Sequence, residues 1–129
     1  MRLALRCKRR DRFMIVTDGM PSIGTAAKGF QLQGRPIAVV AGALRDPSGH
    51  LAGSHTDMAR AIRNAVSMLA INLPEAVHLA TRHPAAFLGL SKDLGRIAPG
   101  YRANLVLADD DLTVRETWID GHGLQDASA

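Results

Sequence analysis

The sequence is poor in cysteine, in aromatic residues and in long apolar runs. Its 129 residues include one cysteine, Cys7, and only 4% are aromatic. A single cysteine cannot form an internal disulfide, which indicates a reduced, cytoplasmic protein. The longest apolar run, residues 37–44, is far shorter than the ~20 residues that span a bilayer. The first residues lack the apolar core of a secretory signal. We therefore expect no membrane partner.

Basic residues are concentrated at the beginning of the chain. Residues 1–13 contain six basic side chains and one acidic side chain, whereas the remaining 116 residues have a net charge of −1. A basic arm can bind the phosphates of nucleic acid, but these charges also suit the solvated face and C-terminal end of a helix. No aromatic–basic interleaving follows the segment, so we do not expect nucleic acid as a partner.

The length of the chain limits the possible folds. With 47% hydrophobic and 22% charged residues, the composition is that of a globular protein with one core. A complete eight-stranded α/β barrel needs roughly 250 residues and does not fit. The helical spacing of Leu3, Ala4 and Cys7 predicts a helix over residues 2–8. The apolar run 13–17 predicts a strand buried on both faces, as in a parallel sheet.

Short strands are predicted in two further parts of the chain. Residues 28–49 contain short segments separated by glycines and by an Asp-Pro-Ser-Gly turn, a pattern that predicts two or three antiparallel strands. Residues 103–108 and 114–120 predict two more strands, and no internal repeat is present.

The middle of the chain is predicted to be helical. Apolar residues recur at helical intervals over residues 58–69, and Ser54 and Asp57 provide a capping arrangement before them. A second helix is predicted to begin at Pro74 and to stop at Pro84. A short third helix is predicted to follow it and to end at a glycine.

The histidine spacing does not predict a metal site within this chain. His78 and His83 would lie about 140° apart on a continuous helix and could not share an ion. His50 and His55 flank a glycine-rich turn, which is a weak signal for a metal site. We therefore assign no metal ligand.

Two segments are candidates for chemistry. Asp18 follows the predicted strand 13–17, at the position where α/β proteins often place a base or a metal ligand; alternatively, Asp18 and Gly19 only form a turn. Residues 49–54 are glycine-rich and lead into a helix, where free backbone N–H groups can bind an anion. A plain capping turn is the alternative there.

Four motifs together identify a family resemblance. They read V-T-D-G-M-P-x-x-G over 16–24, L-A-G-S over 51–54, R-N-A-V over 63–66 and L-G-R-I-A-P-G-Y-R-A-N-L-V over 94–106. In this order and spacing they resemble the C-terminal third of the N-acetylglucosamine-6-phosphate deacetylases, in the amidohydrolase superfamily. The last motif supports the superfamily more than the family. Residues 55–58, His-Thr-Asp-Met, depart from the pattern of the family.

The resemblance implies an α/β fold class: the C-terminal fragment of a metal-dependent (β/α)₈ barrel, with its last strand and closing helices, plus strands of a small β-sandwich. The implied division is the end of the barrel with its catalytic loop at 1–27, sandwich strands at 28–50, barrel-closing helices at 51–93, sandwich strands at 94–123 and a disordered tail at 124–129.

The resemblance also implies an activity: hydrolysis of N-acetylglucosamine 6-phosphate to glucosamine 6-phosphate and acetate. Asp18 would be the proton-transfer acid and base, and Leu51, Ala52 and Gly53 would bind substrate. The whole enzyme would use a divalent metal, Zn or Fe, bound by ligands that this chain does not contain, and would form a homodimer. We expect the isolated chain to be inactive. The alternative is a non-catalytic β-sandwich and helix module that pairs with another polypeptide.

Overall fold

The computed structural model describes residues 2–123, so the predicted tail at 124–129 lies outside the described residues. The described chain divides into two compact units. One contains residues 16–61, and the other contains residues 2–15 and 62–123. None of the helices within the described residues is both long enough and apolar enough to cross a membrane.

A three-stranded antiparallel sheet forms most of the 16–61 unit. Its strands are β1 (Gly29–Leu32), β2 (Arg35–Val40) and β3 (Ala43–Arg45), in that order across the sheet. The connections are two-residue turns with positive φ at both positions, Gln33-Gly34 and Ala41-Gly42, a conformation that matches the twist of hairpin strands. The prediction of antiparallel strands over 28–49 is therefore confirmed.

Four helices lie wholly or mostly in the other unit. They are α1 (Arg2–Cys7), α2 (Met58–Leu69, whose first four residues belong to the 16–61 unit), α3 (Leu73–Ala80) and α4 (Arg82–Phe87). The buried core cluster consists of Leu5, Ala65, Ile71, Ala76 and Leu79. The predicted helix over 58–69 is confirmed.

A second antiparallel sheet belongs to the same unit as this core. It contains β4 (Leu105–Ala108), β5 (Val114–Ile119) and β6 (His122–Gly123), with an irregular register between Leu107 and Ala108. The strands predicted over 103–108 and 114–120 are confirmed with slightly shorter bounds. An ion pair between Arg102 and Asp120 lies beside β5 and lowers the pKa of the Asp120 carboxyl.

The apolar face predicted for the first helix is wrong. Leu3 is 74% exposed, and Ala4 and Cys7 are exposed as well, whereas Leu5 is buried. The core cluster takes one leucine from this six-residue helix. In so short an element, the side chain that meets the core decides the buried face, and the spacing rule has too few residues to specify it.

Residues 13–17 do not form the predicted strand, because no other segment of the described residues pairs with them through a row of strand hydrogen bonds. Burial alternates along the segment, so that Met14 and Val16 are exposed, and the expectation of two covered faces is wrong. Phe13 and Ile15 pack against the core, and the Ile15 N–H donates to Leu79 O at 2.9 Å. An extended segment becomes a strand only when a neighbouring chain accepts its hydrogen bonds.

Two predicted helix boundaries are also corrected. The side chain of Asp57, rather than Ser54, caps α2: its Oδ1 accepts the Arg60 N–H at 2.7 Å. The second helix ends at Ala80, and the next residue, Thr81, has the non-helical angles φ −129° and ψ −72°. Pro84 does not stop it but lies in the first turn of α4, where the missing proline N–H removes no helical hydrogen bond.

Candidate active site

An open depression of about 460 Å³ lies within the 16–61 unit. Three of the four predicted site residues line it, namely Asp18, Leu51 and Gly53, whereas Ala52 does not. The structure therefore brings the predicted proton-transfer group and part of the predicted binding segment to one surface. The other lining residues are Gly42, Ala43, Ser54, His55 and Thr56.

Asp18 has a backbone conformation that most residues avoid. Its φ is +47°, in the left-handed region, which aspartate and asparagine tolerate better than other non-glycine residues. Immediately after it, Gly19 forms a parallel bridge with Ser54, and the Met20 N–H donates to Ser54 O at 3.1 Å. Asp18 therefore directly precedes two residues that are bonded to Ser54.

Residues 50–54, which we call the glycine strap, connect β3 with the residues after Asp18. On one side the Asp46 N–H donates to His50 O at 3.1 Å, and the Ala52 N–H donates to Leu44 O at 2.9 Å. The other end of the strap makes the bridge between Ser54 and Gly19. The Ala52 N–H is therefore occupied within the fold, and the glycine strap is held at both ends.

Gly53 allows the close approach on which this arrangement depends. Its φ is +138°, and a Cβ at this position would lie 2.8 Å from the Cγ of Met20 and 3.5 Å from Leu44 Cδ1. Leu44 is fully buried. The glycine in the L-A-G-S motif is thus required by packing against Met20, the residue two positions after Asp18.

Sequence reasoning missed a polar pair, one member of which, His55, lines the depression with Asp18. The Oγ of Ser22 lies 2.9 Å from the Nδ1 of His55, and Ser22 is only 1% exposed. Arg60 holds the backbone of His55, because the Arg60 Nη1 donates to His55 O at 3.4 Å. The departure of residues 55–58 from the family pattern was the available signal, but the spacing of His55 pointed only to a weak metal site.

His50 has a different role at the other end of the glycine strap. Its N–H donates to Asp46 Oδ1 at 2.9 Å, and its Nδ1 lies 3.3 Å from Asp46 Oδ2. These contacts, the backbone one above all, hold the pKa of the Asp46 carboxyl below its ordinary value. The turn 46–50 is therefore closed by a carboxylate that accepts hydrogen bonds from its own loop.

His78 and His83 are closer together than their spacing on one helix predicts. Because Thr81 separates α3 from α4, their ring centroids come within 6.5 Å, so the separation expected on a continuous helix is wrong. The Nδ1 of His83 is 3.0 Å from Phe13 O. Across residues 2–123, His, Cys, Asp and Glu side chains form no group of three that could hold a metal ion.

A protein-family model matches the chain over all of its described residues. The model of the amidohydrolase family matches residues 2–123, and the chain belongs to this family. It is 41% identical over 96% of its length to the N-acetylgalactosamine-6-phosphate deacetylase of Shewanella sp. strain ANA-3. It is 36% identical over 89% of its length to the N-acetylgalactosamine-6-phosphate deacetylase of Escherichia coli O157:H7.

A solved structure has the same fold over nearly the entire chain. The crystal structure of N-acetylglucosamine-6-phosphate deacetylase from Pasteurella multocida superimposes with a TM-score of 0.85 and 31% identity, over 95% of this chain. The chain spans only 32% of that protein, and it spans 31% and 30% of the two curated relatives. The likeness therefore concerns about one third of each of these three relatives.

Amidohydrolases are generally metal-dependent, and the part of the chain that the structure describes does not by itself assemble a site for such an ion. A catalytic metal site takes at least three protein ligands, and the described residues bring no three suitable side chains together. What this chain offers at the depression is one carboxylate, one imidazole with its serine partner, and a glycine strap.

Proposed function

We propose that this chain supplies the part of a sugar-phosphate deacetylase that contains its proton-transfer group. The substrate is an N-acetylated hexosamine 6-phosphate, and the products are the free amino-sugar phosphate and acetate. The observation that carries the proposal is the position of Asp18, which lies in a single depression with Leu51 and Gly53. The family match and the deacetylase relatives support the reaction class.

Asp18 has the properties that such a reaction requires of a general base and acid. Its side chain is exposed on the depression, so a water molecule and the acetamido group of a sugar can approach it. The carboxylate accepts a proton from water as the water attacks the amide carbonyl, and returns it to the nitrogen as the C–N bond breaks. Its contribution to the rate is of the order of 10²- to 10⁴-fold.

The glycine strap positions the substrate in this proposal. Leu51 is 72% exposed at the depression, although the backbone of its neighbours is held by β3. An apolar side chain on a fixed backbone provides a contact surface for one face of a sugar ring. Ala52 supports the strap through its hydrogen bond to Leu44 and acts on the substrate only through Leu51 and Gly53.

The relatives favour a sugar that differs from the one that the motifs imply. The two curated relatives described above are 36% and 41% identical and are named for N-acetylgalactosamine 6-phosphate. The solved relative, named for N-acetylglucosamine 6-phosphate, is 31% identical. We propose N-acetylgalactosamine 6-phosphate as the preferred substrate and its C4 epimer, N-acetylglucosamine 6-phosphate, as the weaker one.

The test combines the mass of the native polypeptide with an acetate-release assay. The polypeptide is isolated from its source cells through a peptide of this sequence, and its intact mass is compared with the 13.8 kDa of the 129 residues. The purified native protein and the 129-residue chain are then assayed on both sugar phosphates. We expect a larger native protein with deacetylase activity and no activity in the 129-residue chain.

The Asp18→Asn variant decides the role of Asp18 in the same assay. We expect the native protein with this substitution to release acetate at least about 10²-fold more slowly. A variant that keeps its rate contradicts the proton-transfer role. Metal-dependent deacetylation by the pure 129-residue chain contradicts the expectation that this chain alone is inactive.

A second candidate is a non-catalytic module that pairs with another polypeptide. Exposed apolar side chains favour it: in the unit that contains α4, Phe87 is 76% exposed, Leu88 65% and Ile97 89%. Leu88 and Ile97 line an open groove of about 780 Å³. A native mass of 13.8 kDa, together with co-purification of a second chain in fixed ratio, would support this candidate over the first. The homodimer expected of the whole enzyme is tested by measuring the mass of the purified native protein under non-denaturing conditions.

A further inference from the structure

We propose that His55 is a ligand-binding residue, held by Ser22 in the tautomer whose Nε2–H donates a hydrogen bond to an oxygen of the bound amino sugar. This inference rests on the proposed function, because it takes the ligand to be an N-acetylhexosamine phosphate. It assigns the depression a hydrogen-bond donor in addition to the Asp18 carboxylate, which is an acceptor.

The burial of Ser22 sets the direction of its hydrogen bond. The side chain is 1% exposed, and its Oγ lies 2.9 Å from His55 Nδ1. Within residues 2–123, that nitrogen is the hydrogen-bonding partner of the hydroxyl. A buried hydroxyl that donates to no acceptor is destabilising, so the Ser22 O–H donates to Nδ1.

The position of the ring proton follows from that direction. A neutral imidazole has one nitrogen that donates and one that accepts. When Nδ1 accepts from Ser22, the ring proton lies on Nε2. The Nε2–H group is then a donor that is not used by Ser22. A buried serine thus fixes both the tautomer and the ring orientation, as a supporting group does for a functional histidine.

The place of His55 in the fold brings it to the same depression as Asp18. His55 lines the depression together with Asp18, Leu51 and Gly53 and is only partly buried. Its backbone is held by Arg60, whose guanidinium also covers Gly42: a Cβ on Gly42 would lie 2.9 Å from Arg60 Nη2. His55 is therefore held through its ring nitrogen Nδ1 and through its backbone carbonyl, at a position that lines the depression.

The acceptor that fits this donor is a neutral sugar or amide oxygen. The depression contains Asp18, a carboxylate that accepts from N–H and O–H groups and repels anions. An N-acetylhexosamine provides hydroxyl and carbonyl oxygens next to N–H and O–H donors, so one face of it can satisfy both groups at once. Loss of a hydrogen bond of this kind weakens binding by about tenfold.

Nuclear magnetic resonance on the 129-residue chain tests the tautomer and the contact. Long-range ¹H–¹⁵N spectra of the His55 ring, at a pH where it is neutral, should show the proton on Nε2. Millimolar N-acetylgalactosamine 6-phosphate should shift the Nε2 signal together with the amides of Asp18 and Leu51. A ring protonated on Nδ1 overturns the proposal.

The pattern of shifts separates this proposal from the proposed function. If the ligand shifts the amides of Asp18 and Leu51 but leaves His55 Nε2 unchanged, the role of His55 is wrong and the proposed function stands. If none of these signals responds, the contact proposed for His55 is overturned, and the acetate-release assay of the native protein decides the proposed function separately. If His55 responds but the Asp18→Asn native protein keeps its rate, the proton-transfer role alone is wrong.

Two matched substitutions distinguish a ligand contact from a structural role. In His55→Gln, the amide nitrogen reaches about as far as Nε2 and keeps the donor to the ligand, at the expense of the Ser22 contact. In His55→Asn, the shorter amide reaches about as far as Nδ1 and keeps the Ser22 contact without the donor. In ligand titrations we expect His55→Gln to remain within about threefold of the unchanged chain and His55→Asn to bind about tenfold more weakly. The reverse order, or equal losses, overturns the proposal.

Discussion

Gly53 and Met20 are packed so closely that position 53 has no room for a Cβ. That atom would lie 2.8 Å from Met20 Cγ, at a φ of +138° that L side chains rarely adopt. Met20 in turn is tied by its N–H to Ser54 O. The glycine strap and the residues after Asp18 therefore share one tightly packed contact, and changes at Gly53 should alter the surroundings of Asp18.

The Gly53→Ala substitution should destabilise the chain by about 2–3 kcal/mol, because backbone strain and steric overlap add together. Gly49→Ala is the matched control: Gly49 has φ +83°, but nothing lies within 4 Å of the place that its new methyl group would occupy. We expect about 1 kcal/mol there from strain alone. Urea unfolding of the two variants measures the difference, and equal losses would contradict the role of packing.

The cap of α2 gives a second prediction. Because Asp57 Oδ1 accepts the Arg60 N–H at 2.7 Å, Asp57→Ala should cost about 1 kcal/mol of the free energy of unfolding. Ser54→Ala, at the position that sequence reasoning favoured, should change it by less than about 0.5 kcal/mol. Thermal and urea unfolding measure both variants. A larger loss of unfolding free energy in Ser54→Ala than in Asp57→Ala would show that Ser54 is the capping residue.

The loop carboxylate of Asp46 gives a pH prediction. Hydrogen bonds from His50, the backbone N–H first, lower its pKa from 3.8 in the folded chain. A depressed folded pKa contributes stability above pH 3.8 that is lost as the pH falls through the folded pKa. A ¹³C titration of the carboxyl should therefore show a midpoint below 3.8, and Asp46→Asn should remove this part of the acid dependence of unfolding.

His50→Ala is the control for that cause. It removes the ring, whose Nδ1 lies 3.3 Å from Asp46 Oδ2, and keeps the backbone N–H that donates to Oδ1 at 2.9 Å. We expect the midpoint to stay below 3.8, because the backbone bond is the larger cause. A midpoint that returns to the ordinary value in His50→Ala would assign the shift to the imidazole.

The sequence predicted the elements whose signals are local. The strands over 28–49 have period-two spacing and glycines at the turns, and the helix over 58–69 has a long apolar stripe, so both were located correctly. The failures involve tertiary contacts. Residues 13–17 lack a strand neighbour within the described chain, and the burial of Leu5 in place of Leu3 depends on the core cluster that receives it.

In the candidate site, too, local motifs were predicted from the sequence and a long-range contact was not. Asp18, Leu51 and Gly53 were predicted through motifs, and the structure brings all three to one depression. The pair of Ser22 and His55 is separated by 33 positions, so no local pattern could join them. His55, the unusual residue after the L-A-G-S motif, was visible in the sequence, but its contact with Ser22 was not.

Asp18 itself provides the last prediction, which separates its backbone role from its chemical role. At φ +47° the left-handed conformation costs most residues roughly 1–2 kcal/mol, whereas asparagine tolerates it about as well as aspartate does. Asp18→Asn should therefore unfold within about 0.5 kcal/mol of the unchanged chain, while Asp18→Ala should lose about 1 kcal/mol. Urea unfolding of the 129-residue chain measures both. If asparagine is as destabilising as alanine, the carboxylate itself stabilises the fold at this position, and a loss of activity in Asp18→Asn could no longer be assigned to proton transfer alone.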